Sequence, residues 1–326
     1  MKKLICAKMP VKETEAIAVM LCEDDVPAEL YIERRGGYTA CGDIFVGYVE
    51  NIIPPEGGAF VRLNEDEKGY LPPSKRRNMV YKTVKKDDVL KPGDEILVRV
   101  ETESAAGKHA VLNCSLQTPG NKEIIDEIKE KGLHRPAGTC LYKAPRRWLE
   151  ILEKNAGEEF SRIVTDDETV FEDLDGRAAF YDDKLVSLYK LYNMTTVLDR
   201  ALAKKVWLQS GAYIFIEKTE AFTVIDVNSG KISKKTGCEE MFLQVNKQAA
   251  VEIFRQFRLR HISGSVLVDF ISMKKDESIA ELFSFCQELA KSDPVYVNVV
   301  DITKLGIMEI TRHKTVRPLS AQIAAL

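Results

Sequence analysis

The sequence predicts a mixed α/β protein with more than one domain. Its 326 residues exceed the roughly 150 residues of an ordinary domain. Residues 43–116 contain closely spaced short segments that are rich in β-branched and aromatic residues and bounded by turn residues, whereas strand-like and helix-like segments alternate from residue 201 onward. These patterns favour a small β-barrel, with an OB-type barrel as the natural candidate, followed by an α/β domain.

We divide the chain into four parts. Residues 1–35 begin with strand-like segments, and residues 36–116 form the predicted barrel. Residues 117–200 mix short helical and strand-like pieces and are the least informative part. Residues 201–326 predict the order β-β-α-β-α-β. The first helix of this last part has a core-facing stripe formed by Phe242, Val245, Ala249 and Ile253.

Composition narrows the class of protein. Hydrophobic residues make up 45% and charged residues 30% of the chain, with no apolar run near the roughly 18 residues of a membrane span. The N-terminus turns polar at Lys8, before a signal peptide could form. Seven scattered cysteines, none in a Cys-x-x-Cys arrangement, indicate reduced thiols and no zinc site. We therefore expect a cytoplasmic protein without a membrane partner, and the net charge of −3 requires any polyanion to be met by local patches.

Two aspartates lie within apolar runs that we interpret as buried strands, Asp226 in residues 223–230 and Asp269 in residues 265–271. Aspartate is depleted in strands and is rarely buried without a partner. If neighbouring strands bring both carboxylates to one edge, a divalent cation relieves their repulsion; Mg²⁺ suits such hard oxygen ligands, with Mn²⁺ as an alternative. Asn228 shares the face of Asp226 and would support it. For one isolated aspartate, capping a loop or pairing with an arginine is the simpler explanation.

Basic residues flank these two strands. Lys231 follows the first aspartate, and Arg258 and Arg260 precede the second. A site in which a metal ion and cations share a bound phosphate has this composition, so we predict phosphodiester chemistry. The alternative for the two arginines is a solvated helix C-terminus whose charges complement the helix dipole.

The predicted barrel carries two aromatic residues on consecutive strands. Phe60 and Tyr70 lie near Lys68 and are followed by a basic cluster at residues 75–77. Aromatic faces stack unpaired bases while cations follow the backbone, so we infer single-stranded RNA as the ligand. The alternative is that Phe60 fills the barrel core and the charges only keep the protein in solution.

Several segments of the chain, including those around the two aspartates, are similar to segments of a known protein family. The sequence resembles the ribonuclease E/G family, bacterial endoribonucleases that cut single-stranded RNA. The segments that carry the resemblance most strongly are LDRALAKKVWL (198–208), TEAFTVIDVNSG (219–230), RQFRLR (255–260), VDFI (268–271) and KLGIMEITR (304–312). The resemblance extends to the barrel through GYVEN (47–51), AF (59–60) and GYL (69–71), which places Phe60 and Tyr70 on the family's RNA-stacking positions.

The resemblance implies a fold and a function. It implies an OB-type barrel inserted in an RNase H-like subdomain and followed by a DNase I-like catalytic subdomain. Asp226 and Asp269 fall on the magnesium-ligand positions, Asn228 on the supporting asparagine, and Lys108 on an RNA-contacting lysine that acts with the barrel aromatics. The implied activity is Mg²⁺-dependent cleavage of single-stranded RNA in RNA processing, including that of ribosomal RNA, and in decay.

Three departures from the family pattern affect this expectation. The best match to the Arg-Thr pair of the family's 5′-monophosphate pocket is Lys143 followed by Ala144, in a shortened segment. Ser272 stands where the family usually has a further acid. No cysteine follows Cys286, so we expect no zinc link, and any homo-oligomer would form without one. An RNA-binding protein of the same family with weak or lost catalysis is therefore the alternative function.

Overall fold

The structure is a computed structural model that describes residues 1–35, 39–54, 57–82, 89–103, 109–117, 124–230 and 238–326. The chain divides into two compact units. The sheet unit consists of Met1–Glu33 and Gly157–Ile323, and the barrel unit consists of Arg34–Ala156 with Ala324–Leu326. The barrel unit is thus an insertion in the chain of the sheet unit. The division falls inside the segment 117–200, on which the sequence was least informative.

The strands of the described residues are named in chain order. They are β1 (Lys2–Val11), β2 (Thr14–Glu23), β3 (Val26–Arg34), β4 (Ile44–Ile53), β5 (Gly58–Arg62), β6 (Lys68–Leu71), β7 (Glu95–Thr102), β8 (Ala110–Asn113), β9 (Cys140–Tyr142), β10 (Phe160–Thr165), β11 (Ala179–Phe180), β12 (Lys205–Trp207), β13 (Tyr213–Lys218), β14 (Phe222–Asn228), β15 (Gly264–Asp269), β16 (Val297–Ile302) and β17 (Ile307–Arg312).

The helices are named in the same way. They are α1 (Ile125–His134), α2 (Arg147–Lys154), α3 (Glu168–Asp173), α4 (Leu188–Leu191), α5 (Met194–Leu202), α6 (Glu239–Arg260), α7 (Asp276–Ser292) and α8 (Leu319–Ala324), with a 3₁₀ turn at Pro73–Lys75. No helix in the described ranges is both long enough and apolar enough to cross a membrane.

The predicted OB-like barrel is confirmed. Strand β4 pairs with both β5 and β7, which closes a ring in the order β4-β5-β6-β8-β7. The short strand β9, which the sequence did not predict, adds to one end of β4. Alternate residues point inward, as the pleat of a strand requires. The barrel interior is apolar and contains Val49, Ala59, Val61, Leu71, Ile96 and Val98.

The first sheet of the sheet unit has the order β11-β10-β1-β2-β3. Strands β1 and β2 form a hairpin whose register pairs Val11 with Thr14. The next turn has positive φ at both Asp24 and Asp25, the backbone of a type I′ turn, which aspartate tolerates better than most residues. Strand β1 also pairs in parallel with β10, which follows the inserted segment Arg34–Ala156 in the sequence.

The second sheet has the order β12-β13-β14-β15-β17-β16, and the helices of the described residues cover one of its faces. Helices α6 and α7 pack on that face, where their apolar side chains share a core with Ile225, Val227 and Val268. Burial alternates along β14, so the run that we interpreted as a buried strand is buried on one face and exposed on the other. Burying one face and leaving the other open positions the polar residues described below.

Helix α6 holds the strand that ends at Asp269. Its predicted stripe is confirmed, because Val245, Ala249 and Ile253 lie in the core with Phe242 packed beside them. The fully buried Asn246 of the same helix donates to the carbonyl of Ile271 at 2.8 Å and accepts from its amide at 3.0 Å. Both backbone groups of Ile271 are thereby satisfied two residues beyond Asp269.

We expect Asn246→Ala to lower the free energy of unfolding by about 1–3 kcal/mol, because it leaves the buried amide and carbonyl of Ile271 without partners. Denaturant unfolding measures the loss. Gln244→Ala, an exposed change on the same helix, is the matched control and leaves stability nearly unchanged. Equal stabilities of the two variants would contradict the role assigned to Asn246.

Candidate functional site

The two predicted aspartates are brought together. Strands β14 and β15 pair in parallel, and the register places Asp226 directly opposite Asp269. Adjacent strands lie roughly 4.8 Å apart, which sets the separation of the two backbones. Both side chains are exposed, because their sequence neighbours Ile225, Val227 and Val268 point to the helix-covered face. The carboxylates therefore project side by side from the open face of the second sheet.

Asn228 supports the first of these carboxylates. Its side-chain amide donates to Oδ2 of Asp226 at 2.6 Å, as the alternation of the strand predicts. Gly230 follows with φ of +63°, and a Cβ atom at this position would overlap the carbonyl of Gly211. Glycine is therefore required where the chain leaves β14 beside the site.

The pair has the chemistry of a hard-cation site. No ion pair joins Asp226 or Asp269 to a basic side chain within the part of the chain that the structure describes. Two like charges at this separation repel, and a divalent cation offsets that repulsion. The described residues contain no cluster of three or more His, Cys, Asp or Glu side chains that could hold a metal ion. Two carboxylates with water and substrate oxygens suffice for Mg²⁺, so the donor set fits this ion.

The predicted arginines do not join the carboxylates. Arg258 and Arg260 lie at the end of α6, which covers the opposite face of the sheet. Arg258 forms two hydrogen bonds with Glu23, at 3.0 and 2.9 Å, and these lower the pKa of that glutamate. Burial lowers the pKa of Arg260 to about 10, and its guanidinium donates to Gln256 and, at 3.3 Å, to the carbonyl of Arg200. The structure thus places both arginines at the end of a helix that packs behind the strands, and not on the face that carries the two aspartates.

The open face carries a second cluster that the sequence interpretation missed. In the register of β13 and β14, Phe215 lies opposite Asp226 and Tyr213 lies opposite Asn228. On the other side of β13, Lys205 of β12 lies opposite Phe215, and Trp207 lies opposite Tyr213. The ammonium of Lys205 lies 3.9 Å from the ring centroid of Trp207 and 3.7 Å from that of Tyr213. Alternation of large aromatic residues with apolar ones in β12 and β13 was the available signal.

The barrel presents its own aromatic surface. Phe60 and Tyr70 face each other in the register of β5 and β6, with ring centroids 5.8 Å apart. Both are half-buried on the outer surface, and the core is formed instead by their neighbours, so the alternative of a core role for Phe60 was wrong. His109, to which the sequence assigned no role, packs edge-on at 5.1 Å from Phe60, and Lys68 lies 5.7 Å from the same ring.

Lys143 is exposed, and the residues that follow it are held by hydrogen bonds to Asp43. The buried carboxylate of Asp43 accepts from the amide of Ala144 at 2.8 Å and from the guanidinium of Arg146 at 3.4 Å. Burial raises the pKa of Asp43, and the neighbouring Arg146 opposes that rise. Two other predicted RNA contacts, Lys108 and Lys231, lie outside the described residues.

Comparison with known proteins agrees with this architecture. A model of the Ribonuclease E/G family matches residues 74–315, which include both aspartates. The chain is 26% identical to ribonuclease E of Nostoc sp. over 93% of this chain and 55% of the relative. It is 24% identical to ribonuclease G of Haemophilus influenzae over 91% of this chain and 77% of the relative.

The chain therefore belongs to the ribonuclease E/G family, since the match covers most of its length. It spans about half the length of the two ribonuclease E relatives, with 55% of the Nostoc protein and 56% of ribonuclease E of Synechocystis sp. covered.

We expect Gly230→Ala to destabilise the protein more than Gly211→Ala. Both glycines have positive φ, which costs a substituted alanine about 1–2 kcal/mol, but only at Gly230 would the new methyl group overlap backbone atoms. Denaturant unfolding of the two variants isolates the overlap. Equal losses would show that the backbone beside Asn228 moves without cost.

Proposed function

We propose that the protein is an Mg²⁺-dependent endoribonuclease that cleaves single-stranded RNA. The observation that supports this proposal best is the register of β14 and β15, which sets Asp226 opposite Asp269 within a segment that matches the family. The curated relatives are named ribonuclease E and ribonuclease G, and this activity is carried to the chain on that basis. RNA processing and decay in the cytoplasm is the corresponding role.

Asp226 and Asp269 would hold the ion, with Mn²⁺ as a substitute and no zinc required. The bound ion would supply an activated water and neutralise charge that develops on the scissile phosphate. Asn228 fixes the orientation of the first carboxylate through its 2.6 Å hydrogen bond, so the negative charge stays directed to the open face. Cleavage on this face would leave 5′-phosphate and 3′-hydroxyl ends, as the family resemblance implies.

The barrel surface would hold the RNA strand. Phe60 and Tyr70 offer ring faces to unpaired bases, and Lys68 beside them offers a charge to the phosphates. Gly58 leaves the space that the Tyr70 ring occupies, because a Cβ atom at this position would overlap that ring. We assign phosphate contacts also to Lys143, Lys108 and Lys231, and none to the arginines at the end of α6.

We expect Asp226→Asn combined with Asp269→Asn to lower Mg²⁺-dependent cleavage about a thousandfold or more, since metal catalysis supplies several kcal/mol of transition-state stabilisation. Cleavage of one labelled single-stranded RNA, with and without EDTA, measures the effect. Asp301→Asn, an exposed carboxylate on the same sheet, is the control and leaves cleavage intact.

Full activity of the double variant would refute the assignment. RNA binding by the wild-type protein with no metal-dependent cleavage would instead favour the RNA-binding alternative, which the serine at position 272 and the shortened segment near Lys143 suggest.

We expect Phe60→Ala and Tyr70→Ala each to weaken RNA binding about tenfold, because a base–aromatic stack contributes about 1–3 kcal/mol. Fluorescence anisotropy of a labelled oligoribonucleotide measures the affinity in EDTA, where cleavage does not interfere. Phe60→Tyr and Tyr70→Phe keep the rings and retain affinity. A loss of the same size in the ring-retaining variants would argue against stacking.

A further inference from the structure

The aromatic cluster of the second sheet lies beside the carboxylates, in the same unit and on the same face. We define the sheet platform as Lys205, Trp207, Tyr213 and Phe215. Trp207 is 63% exposed and Phe215 is 36% exposed, although such large apolar residues are ordinarily covered. These exposed rings lie on the sheet face that the helices of the described ranges leave open, and they therefore point to a ligand.

The rings and the cation form one connected surface. The centroids of Trp207 and Tyr213 are 5.2 Å apart, and those of Tyr213 and Phe215 are 5.8 Å apart. The ammonium of Lys205 lies within 5.9 Å of all three ring centroids. No ion pair joins this lysine to a carboxylate among the described residues. A positive charge among aromatic faces complements a nucleotide, which presents a flat base and an anionic phosphate.

The platform is in register with the catalytic pair. Phe215 is the β13 partner of Asp226, and Tyr213 is the partner of Asn228. With strands about 4.8 Å apart and about 3.4 Å per residue along a strand, the backbone of Tyr213 lies roughly 8 Å from that of Asp226. A ligand that occupied the metal site through a phosphate would thus place the adjoining nucleotide over the rings.

We infer that the sheet platform binds an unpaired base of the RNA next to the scissile phosphate, with Lys205 contacting the adjoining phosphate. This inference rests on the proposed function and deepens it, because it adds a base-binding subsite on the sheet that is separate from the aromatic pair of the barrel. The platform would favour unpaired RNA at the cleavage position, since a base within a duplex offers no free face for stacking.

The test combines protein variants with RNAs that lack one base at a time. One RNA sequence with a single cleavage position is synthesised as a series. Each member of the series lacks the base of one nucleotide near that position. For the wild-type protein, we expect kcat/KM to fall about tenfold when the stacked base is missing. The variant that combines Trp207→Ala with Tyr213→Ala lowers kcat/KM for intact RNA by a similar factor. Removal of the stacked base then causes no further fall in the kcat/KM of this variant, as a double-mutant cycle requires for a direct contact.

Two control variants isolate the role of the rings. Trp207→Phe with Tyr213→Phe keeps aromatic faces and restores sensitivity to the missing base. Tyr296→Ala removes an aromatic side chain of the same unit that is 65% exposed but lies outside the platform, and it leaves the abasic profile unchanged. An unchanged abasic profile in the double-alanine variant overturns the inference. A fall in native mass of that variant, with kcat/KM unaltered, overturns it in favour of an interface with a second copy of the chain.

A separate measurement distinguishes failure of the platform from failure of the proposed function. The chain has two tryptophans, of which Trp148 is buried and Trp207 exposed. Quenching of tryptophan fluorescence by the intact RNA, and its loss with one RNA of the abasic series, supports the platform even if the wild-type protein cleaves nothing with Mg²⁺ or Mn²⁺. Absence of quenching by an RNA that is cleaved overturns the platform and leaves the nuclease function standing.

Discussion

The pairing of β14 with β15 in a single register is the constraint on which the candidate site depends. A shift by one residue would turn Asp269 toward the helix-covered core and separate it from Asp226. Apolar residues at alternate positions of both strands prevent such a shift, since it would also expose Val266 and Val268, which are fully buried. The same apolar packing that stabilises the sheet therefore keeps two like charges together on its open face.

Local patterns in the sequence were sufficient to predict much of this arrangement. The barrel strands are short and bounded by turns, and helix α6 has an unbroken apolar stripe, so both the barrel and the stripe of this helix were predicted. Asn228 was predicted to lie beside Asp226 because side chains two residues apart in a strand point to the same face, and the hydrogen bond between the two confirms it. Periodicity and turn chemistry act over a few residues, which is the range that a single sequence reveals.

Features that depend on distant partners were not predictable. Arg258 looked like a phosphate ligand, but its partner is Glu23, 235 residues away along the chain. In the sheet platform, the alternation of aromatic and apolar residues was a local signal for the rings, but their contacts with Lys205 depend on the register in which β12 pairs with β13. Similarly, His109 acquires its contact with Phe60 only when the barrel closes. In each case the tertiary pairing, and not local propensity, determines the chemical environment.

The parallel pairing of β1 with β10 has a consequence for the order in which the chain folds during synthesis. Parallel strands require a long connection, and here that connection contains the whole segment from Arg34 to Ala156. The ribosome therefore releases every barrel strand before β10 exists, so the hairpin of β1 and β2 must wait with one edge unpaired while the later residues are translated. The insertion therefore lengthens the interval between synthesis of the β1–β2 hairpin and synthesis of the strand that completes its sheet.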